Sequence, residues 1–186
     1  MSDLTDSVKN TLTSLISGAG DVVSTTQNVA RENVVKAFQN VGSVAEAGTT
    51  AVSDVVTGGV SALSSTGASI TDGVTGLVRG VVDGAKDVGV DTTKAAGEAA
   101  SGVVHSVSNV GGDVGGAAVS AVAGAVSAAG DIGGDVGSLA KGATLGAIKA
   151  ADEIGSDAGS LVRKALLNAA ALPHDIIDTL ISGKSE

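Results

Sequence analysis

Side chains that could carry out chemistry are few in this chain, and they stand apart from one another. The chain has two histidines, His105 and His174, and no cysteine. A metal site of the usual spacing needs further histidine or cysteine ligands nearby, and neither histidine has one. We therefore predict no metal site. We interpret His105 as a solvated surface side chain and His174 as a residue at the start of a helix.

The aspartates and a short glycine–lysine–serine run are the other candidates for a chemical role. A calcium loop needs several oxygen ligands within about a dozen residues, whereas the aspartates of this chain mostly stand singly. Gly183-Lys184-Ser185 looks like the end of a phosphate-binding loop, but the first glycine of that motif would fall at Asp178. No serine lies in a nucleophile-elbow sequence. The sequence predicts a protein that is not an enzyme, with no catalytic residues and no covalently bound cofactor.

A 22-residue period runs through most of the chain. Four consecutive blocks of equal length begin at Gly80, Gly102, Gly124 and Gly146. An aspartate recurs once in each block at the same place: Asp91, Asp113, Asp135 and Asp157. Such repetition is typical of an architecture built by extension, rather than of one core with one carved pocket.

The apolar residues of the repeats follow a helical pattern. They recur at spacings of three and four, as in Val136, Leu139, Ala143, Ala147, Ala150 and Ile154. Valine-rich runs such as Val103-Val104 favour strands, but strict alternation does not persist. The predicted fold class is all-α, with long amphipathic helices of 11- and 22-residue repeats, rich in glycine and alanine, assembling into a multi-chain bundle or tube. An 11-residue unit corresponds to a nearly straight helix or a right-handed supercoil.

Pairs of glycines four residues apart are the candidate helix-packing residues. Small residues at this spacing lie on one helix face and let a second backbone approach closely. The pairs are Gly111 with Gly115, Gly133 with Gly137, and Gly155 with Gly159. The alternative is that each Gly-Gly-Asp run ends one helix and caps the next, which would give hairpins of short helices. We favour long, kinked helices.

Composition and charge restrict the partners. The apolar residues are mostly alanine and valine, and Phe38 is the only aromatic residue. Because such side chains bury little area each, we expect the chain to gain order from self-assembly, a partner or an apolar surface. The net charge of −9 disfavours nucleic acid and weakens binding to anionic lipid. The absence of cysteine and of a signal-peptide pattern at the N-terminus predicts a cytoplasmic protein.

Three regions differ in sequence. Residues 1–35 are predicted to form an N-terminal amphipathic helix, and residues 36–167 contain the helical repeats. Residues 168–186 follow as a docking tail, because Pro173 breaks the helix and large apolar side chains collect around it. The candidate docking residues are Leu166, Leu167, Leu172, Ile176, Ile177, Leu180 and Ile181.

The repeat resembles two known families. The segment from Gly102 to Gly112 is similar to the 11-residue repeats of synucleins, which fold as helices on lipid; this chain has aspartate where those repeats carry lysine, and we interpret the likeness as convergence. The acidic, cysteine-free, Gly/Ala/Val-rich repeat with a helical tail also resembles the small scaffold subunit of actinobacterial high-affinity nickel–iron hydrogenases. In that family several copies form a tube-like stalk, larger catalytic subunits dock around it, and its apolar interior passes menaquinone from the membrane.

These features favour a non-enzymatic oligomeric scaffold. The hydrogenase resemblance implies a homo-oligomer that holds larger redox enzyme subunits, lies peripheral to the membrane, and contains menaquinone in an apolar lumen open to the quinone pool. One alternative is an amphipathic helix protein that coats a lipid surface. Another is a stress-protective chain that folds on drying.

Overall fold

The computed structural model describes residues 2–18, 20–39 and 44–183, and within these ranges it contains nine helices and no strand. The all-α prediction is confirmed for this part of the chain. The helices are α1 (Ser2–Ile16), α2 (Val22–Gln39), α3 (Val44–Thr66), α4 (Ile70–Asp87), α5 (Thr92–Asn109), α6 (Val114–Ile132), α7 (Val136–Ile154), α8 (Ser156–Asn168) and α9 (His174–Ser182).

The turns between α4 and α7 explain the repeat period of the sequence. These four helices begin at Ile70, Thr92, Val114 and Val136, each one full period after the last. The turns before α5, α6 and α7 each contain a glycine with positive φ, followed two residues later by an aspartate that caps the next helix. The preference for long, kinked helices is therefore wrong, and the hairpin alternative describes these repeats.

The turn that joins α5 to α6 shows the physical reason. Gly111 has φ +70°, a left-handed conformation that glycine adopts without a steric penalty and that ends an α-helix. The Gly112 amide then donates to the Val107 carbonyl at 2.9 Å, which satisfies one of the last carbonyls of α5. Asp113 Oδ1 accepts from the Gly116 amide at 3.0 Å and starts α6. One helix thus stops and the next starts within a few residues.

The helices form two layers, one of odd-numbered and one of even-numbered helices. Among the described residues, each helix contacts only the one or two helices before and after it along the chain. Helices α3 and α4 are antiparallel, because Gly59 lies against Leu77 whereas Gly73 lies against Leu63. Helices α2 and α4 of one layer are parallel, as are α5 and α7 of the other, where Gly142 and Gly146 lie against Thr93 and Gly97. A β-carbon on Gly76, Gly80 or Gly84 of α4 would meet, in turn, the carbonyl of Val23, Gln27 or Arg31 of α2.

The core lies between the two layers and consists mainly of alanine and valine. Fully buried examples from successive helices are Val34, Val56, Val78, Ala100 and Ala121. Small side chains suit this position because they let neighbouring helix axes approach closely. The chain therefore buries its apolar faces against itself.

The predicted regions correspond to helices in the following way. Residues 1–35, expected as one amphipathic helix, contain α1 and most of α2, separated by a turn around Gly18. The repeat region includes α3 to α7 and most of α8, and the tail contains α9. Residues 184–186 of the tail lie outside the described residues.

Candidate functional site

The closest contacts between helices of one layer are made by glycines in the middle of helices. A β-carbon on Gly142 of α7 would stand 2.6 Å from the Thr93 carbonyl oxygen of α5, and one on Gly124 of α6 would stand 2.7 Å from the Thr75 carbonyl oxygen of α4. Real β-carbons essentially never come so close. We call the glycines that contact the neighbouring helix of the same layer the glycine seam. A β-carbon would stand 3.0 Å from the nearest atom of that helix at Gly97 and 2.9 Å or less at the other members. The members are Gly58, Gly76, Gly80, Gly84, Gly97, Gly124, Gly142 and Gly146.

The six predicted packing glycines divide into two groups. Gly111, Gly133 and Gly155 lie in turns, and a β-carbon on any of them would meet nothing within 4 Å. The structure therefore places these three at helix ends instead of at helix–helix contacts. Their positive φ values of 70°, 65° and 157° are the physical reason, because these backbone conformations end a helix or link it to the next.

The other three lie inside helices. A β-carbon on Gly115 of α6 would stand 2.6 Å from Leu161 Cδ2 of α8, so this glycine does make a helix–helix contact. A β-carbon on Gly137 would stand 3.6 Å from Ile176 Cδ1 of α9, an ordinary contact distance. Gly159 lies beside Asp152 and Arg163, an ion pair between α7 and α8. The structure thus brings one member of each pair into a contact and puts the other in a turn.

The seam glycines are indicated by the repeat period of the sequence, and not by pairs of glycines four residues apart. Gly80, Gly124 and Gly146 mark the starts of three of the four repeat blocks, and all three belong to the seam. A glycine in a helix interior costs about 1 kcal/mol relative to alanine. A mid-helix glycine that recurs with the period therefore indicates a packing requirement.

Polar side chains on α2, α4 and α6 form a row of contacts that we call the polar ladder. Arg31 of α2 pairs with Asp87 of α4 at 2.6 Å, and Arg79 of α4 pairs with Asp131 of α6 at 2.6 Å. The hydrogen bond from Arg31 to the Asp87 carboxylate raises the pKa of this arginine. The other members are Gln27, which donates to Asp83 at 2.8 Å, and Lys86, which donates to the Ile132 carbonyl.

The ladder surrounds a polar cleft of about 420 Å³. Each of its three basic side chains has an acidic or carbonyl partner, and three aspartates line the same cleft, so positive and negative charges are equal in number. The side chain of Asp83 is buried, and its carboxylate accepts from the Gln27 amide. Such an arrangement fixes the register of neighbouring helices. No pair of side chains in the polar ladder has the geometry of a catalytic acid with a base, or of a nucleophile with a base.

The two histidines lie far apart in the chain. His105 Nε2 lies 3.1 Å from Glu153 Oε2, and this pair links α5 to α7 across an exposed surface. His174 is the first residue of α9, as expected. No group of three or more potential metal ligands occurs in the part of the chain that the structure describes.

The predicted docking tail packs partly against its own chain. Leu166, Leu172 and Ile177 are buried in the core, and Ile181 packs against it. Ile176 and Leu180 are half-buried, and Leu167 is 38% exposed. Helix α9 contacts only α7 and α8 among the described helices. The tail therefore closes the C-terminal end of the stack, and Leu167 is an accessible apolar side chain beside it.

One helix, α6, is long and apolar enough to cross a membrane, with a mean hydropathy of 1.3, among the helices of the described ranges. Half of the tested segment is buried inside the fold. A core helix of a soluble protein passes the same test of length and composition, so this finding is weak support for a membrane span.

The sequence matches no protein-family model, and no curated protein is significantly similar to it. A functional assignment therefore rests on the seam, the ladder and the exposed surfaces.

Proposed function

We propose that this chain is a non-enzymatic scaffold, a preformed stack of helices whose surface holds other protein subunits. The observation that carries the proposal is the uneven distribution of exposed large apolar side chains. Six of the seven in the described residues lie in the second half of the chain: Val110, Val136, Leu145, Ile154, Leu161 and Leu167. The seventh, Leu15, lies in α1.

Two exposed leucines on α7 and α8 favour a role in binding other proteins. Leu145 is 46% exposed and Leu161 is 49% exposed, although each belongs to a helix that buries other apolar side chains. Helices α7 and α8 are in contact with each other, and large exposed apolar side chains are typical of interaction sites when they form one patch. We therefore assign partner binding to the surface of α7 and α8.

The use of the polar side chains also supports a structural role. Asp91, Asp113 and Asp135 cap helices, and the ladder residues pair between helices. A structural role for these groups needs no substrate and no cofactor. This use supports the proposal that the protein is not an enzyme.

The finer form of the proposal includes self-assembly. Copies would associate into a bundle or tube, hold larger redox enzyme subunits and lie at the membrane, as the hydrogenase resemblance implies. The core of one chain is filled by side chains such as Ala100 and Val103, which are fully buried. An apolar conduit for menaquinone would therefore run between copies, with walls formed by surface residues.

A lipid-coating role has less support. A helix that coats lipid must present a continuous apolar face, whereas here the apolar faces of the helices lie between the two layers. Such a protein would have to open its stack before it could bind lipid.

The test is the native mass of the full-length chain, measured by mass photometry after gentle purification from its source, with identification of co-purifying proteins. A defined oligomer, or a complex with larger subunits in fixed ratio, is the expected result. A lone 17.6 kDa chain that binds no partner and gains helix on addition of vesicles would overturn the scaffold proposal.

A further inference from the structure

An apolar cavity of about 250 Å³ lies where α2, α3, α4 and α5 meet. The Phe38 ring at the end of α2 forms one wall and lies against the backbone of Gly48, where a β-carbon would stand 2.6 Å from its Cζ atom. Val52, Ala85 and Ala95, which are almost fully buried, form the other apolar walls. The only aromatic residue of the chain is therefore used to line a cavity.

The length of α3 explains the position of the cavity. Helix α3 has 23 residues, whereas α4 and α5 have 18 residues each. Its first turns therefore extend alongside the turn that joins α4 to α5, at the end of the stack where α2 also finishes. Gly48, Thr49 and Val52 of this longer helix face that turn across the cavity.

The rim of the cavity is polar and carries a net negative charge. Asp91, Lys94 and Glu98 line it, with two carboxylates and one ammonium group. Asp91 Oδ1 already accepts from the Thr93 and Lys94 amides. Lys94 and Glu98 form no ion pair with any other described residue within 4 Å. These two side chains are therefore able to bond the polar end of a guest molecule.

We propose that this cavity is a binding site for a small neutral molecule with an apolar body and a hydrogen-bonding end. An apolar cavity of about 150 Å³ binds benzene, so this volume suits a guest of about ten non-hydrogen atoms. The apolar body lies against Phe38 and Val52, and its polar end reaches Lys94 and Glu98 at the rim. The negative rim disfavours an anionic guest. The inference is independent of the scaffold proposal, because a single chain contains the whole site.

The experiment titrates 1-octanol and octanoate into the full-length chain and follows the methyl signals by NMR. The two probes have the same chain length and differ in the charge of the polar end. We expect 1-octanol to shift the signals of Val52, Ala85, Val90 and Ala95 in a saturable manner, and octanoate to bind at least threefold more weakly. No saturable shift with 1-octanol would overturn the proposal, as would equal or tighter binding of octanoate.

A variant that fills the cavity localises the binding. Ala95→Leu should weaken 1-octanol binding at least tenfold, because the added side chain occupies the guest's volume. Ala117→Leu is the matched control, since Ala117 holds the same place in α6, one repeat later, and does not line the cavity. If Ala95→Leu does not fold, Thr49→Met tests the same volume from α3. Unchanged affinity in the filled variant that folds would show that 1-octanol binds elsewhere, and the site assignment would be wrong.

Discussion

Gly142 of α7 packs directly on the backbone of Thr93 in α5. A β-carbon at Gly142 would stand 2.6 Å from the Thr93 carbonyl oxygen and 3.0 Å from its Cγ2 atom. The obstacle is mainly backbone, which moves less readily than the end of a flexible side chain. This contact is one unit of the glycine seam, and the seam sets how closely parallel helices of one layer approach.

Gly142→Ala should therefore destabilise the fold, although alanine is the better helix former. Overpacking costs typically about 1–3 kcal/mol, which exceeds the gain of about 1 kcal/mol in helix propensity. The free energy of unfolding, measured by urea denaturation, should fall. Gly130→Ala is the control, because Gly130 is an exposed helical residue with nothing within 4 Å of a β-carbon, and this change should stabilise. If Gly142→Ala instead raises the free energy of unfolding, the steric role of the seam is contradicted.

Asp113→Ala should lower the free energy of unfolding by about 1 kcal/mol, the usual effect of losing an N-cap side chain. Asp113 caps α6 through the Gly116 amide, and Asp113→Asn should retain most of the stability. Asp157→Ala is the matched control. Asp157 holds the same repeat position but lies inside the first turn of α8, whose N-cap residue is Gly155. Equal losses at Asp113 and Asp157 would argue against a specific capping effect.

Acid should destabilise the fold through three aspartates. Hydrogen bonds from Ser24 and Ser138 lower the pKa of Asp21 and Asp135, and the bond from Arg163 lowers that of Asp152, each from an ordinary value of 3.8. A carboxyl whose pKa is lower in the folded state stabilises the fold above its unfolded pKa, and this stabilisation is lost as the pH falls through the folded pKa. The free energy of unfolding should therefore decrease below about pH 4. Asp135→Asn should flatten that decrease, and an unchanged slope would contradict the role of Asp135.

Leu145→Glu should reduce the mass of any assembly that the chain forms, because it puts a charge on the proposed binding surface. Leu15→Glu is a closely matched control, since Leu15 and Leu145 are both 46% exposed and only Leu145 lies in α7. Analytical ultracentrifugation of both variants at equal concentration makes the comparison. If Leu15→Glu dissociates the assembly and Leu145→Glu does not, the binding surface belongs at α1.

The helical class and the spacing of the elements can be predicted from the sequence, whereas the ends of the helices cannot. The regular repeat and the three-and-four spacing of apolar residues led to an all-α prediction. Whether Gly111 or Gly133 continues a helix depends on the sign of φ, and glycine permits both signs at similar cost. The four-residue spacing of Gly133 and Gly137 fits a packing face and a turn equally well, so the pattern alone did not decide.

The candidate site was harder to anticipate, because it depends on which helices become neighbours. The pairing of Arg31 with Asp87 joins residues 56 positions apart, and no local pattern indicates that separation. The cavity beside Phe38 depends on the greater length of α3, which the sequence period does not reveal. Local rules predict helices and caps, but contacts between helices distant in the sequence depend on the three-dimensional arrangement.

The restriction of contacts to helices one or two positions apart along the chain affects how the protein unfolds. Within the described ranges no contact ties α1 or α2 to α8 or α9, so these helices do not close the stack into a ring. In such one-dimensional arrays, stability is approximately a sum of terms for each unit and its nearest neighbours. The end helices can then open while the middle stays folded, and amide hydrogen exchange should be slowest in α4 to α6. The protein would therefore tolerate loss of an end helix better than damage at its centre.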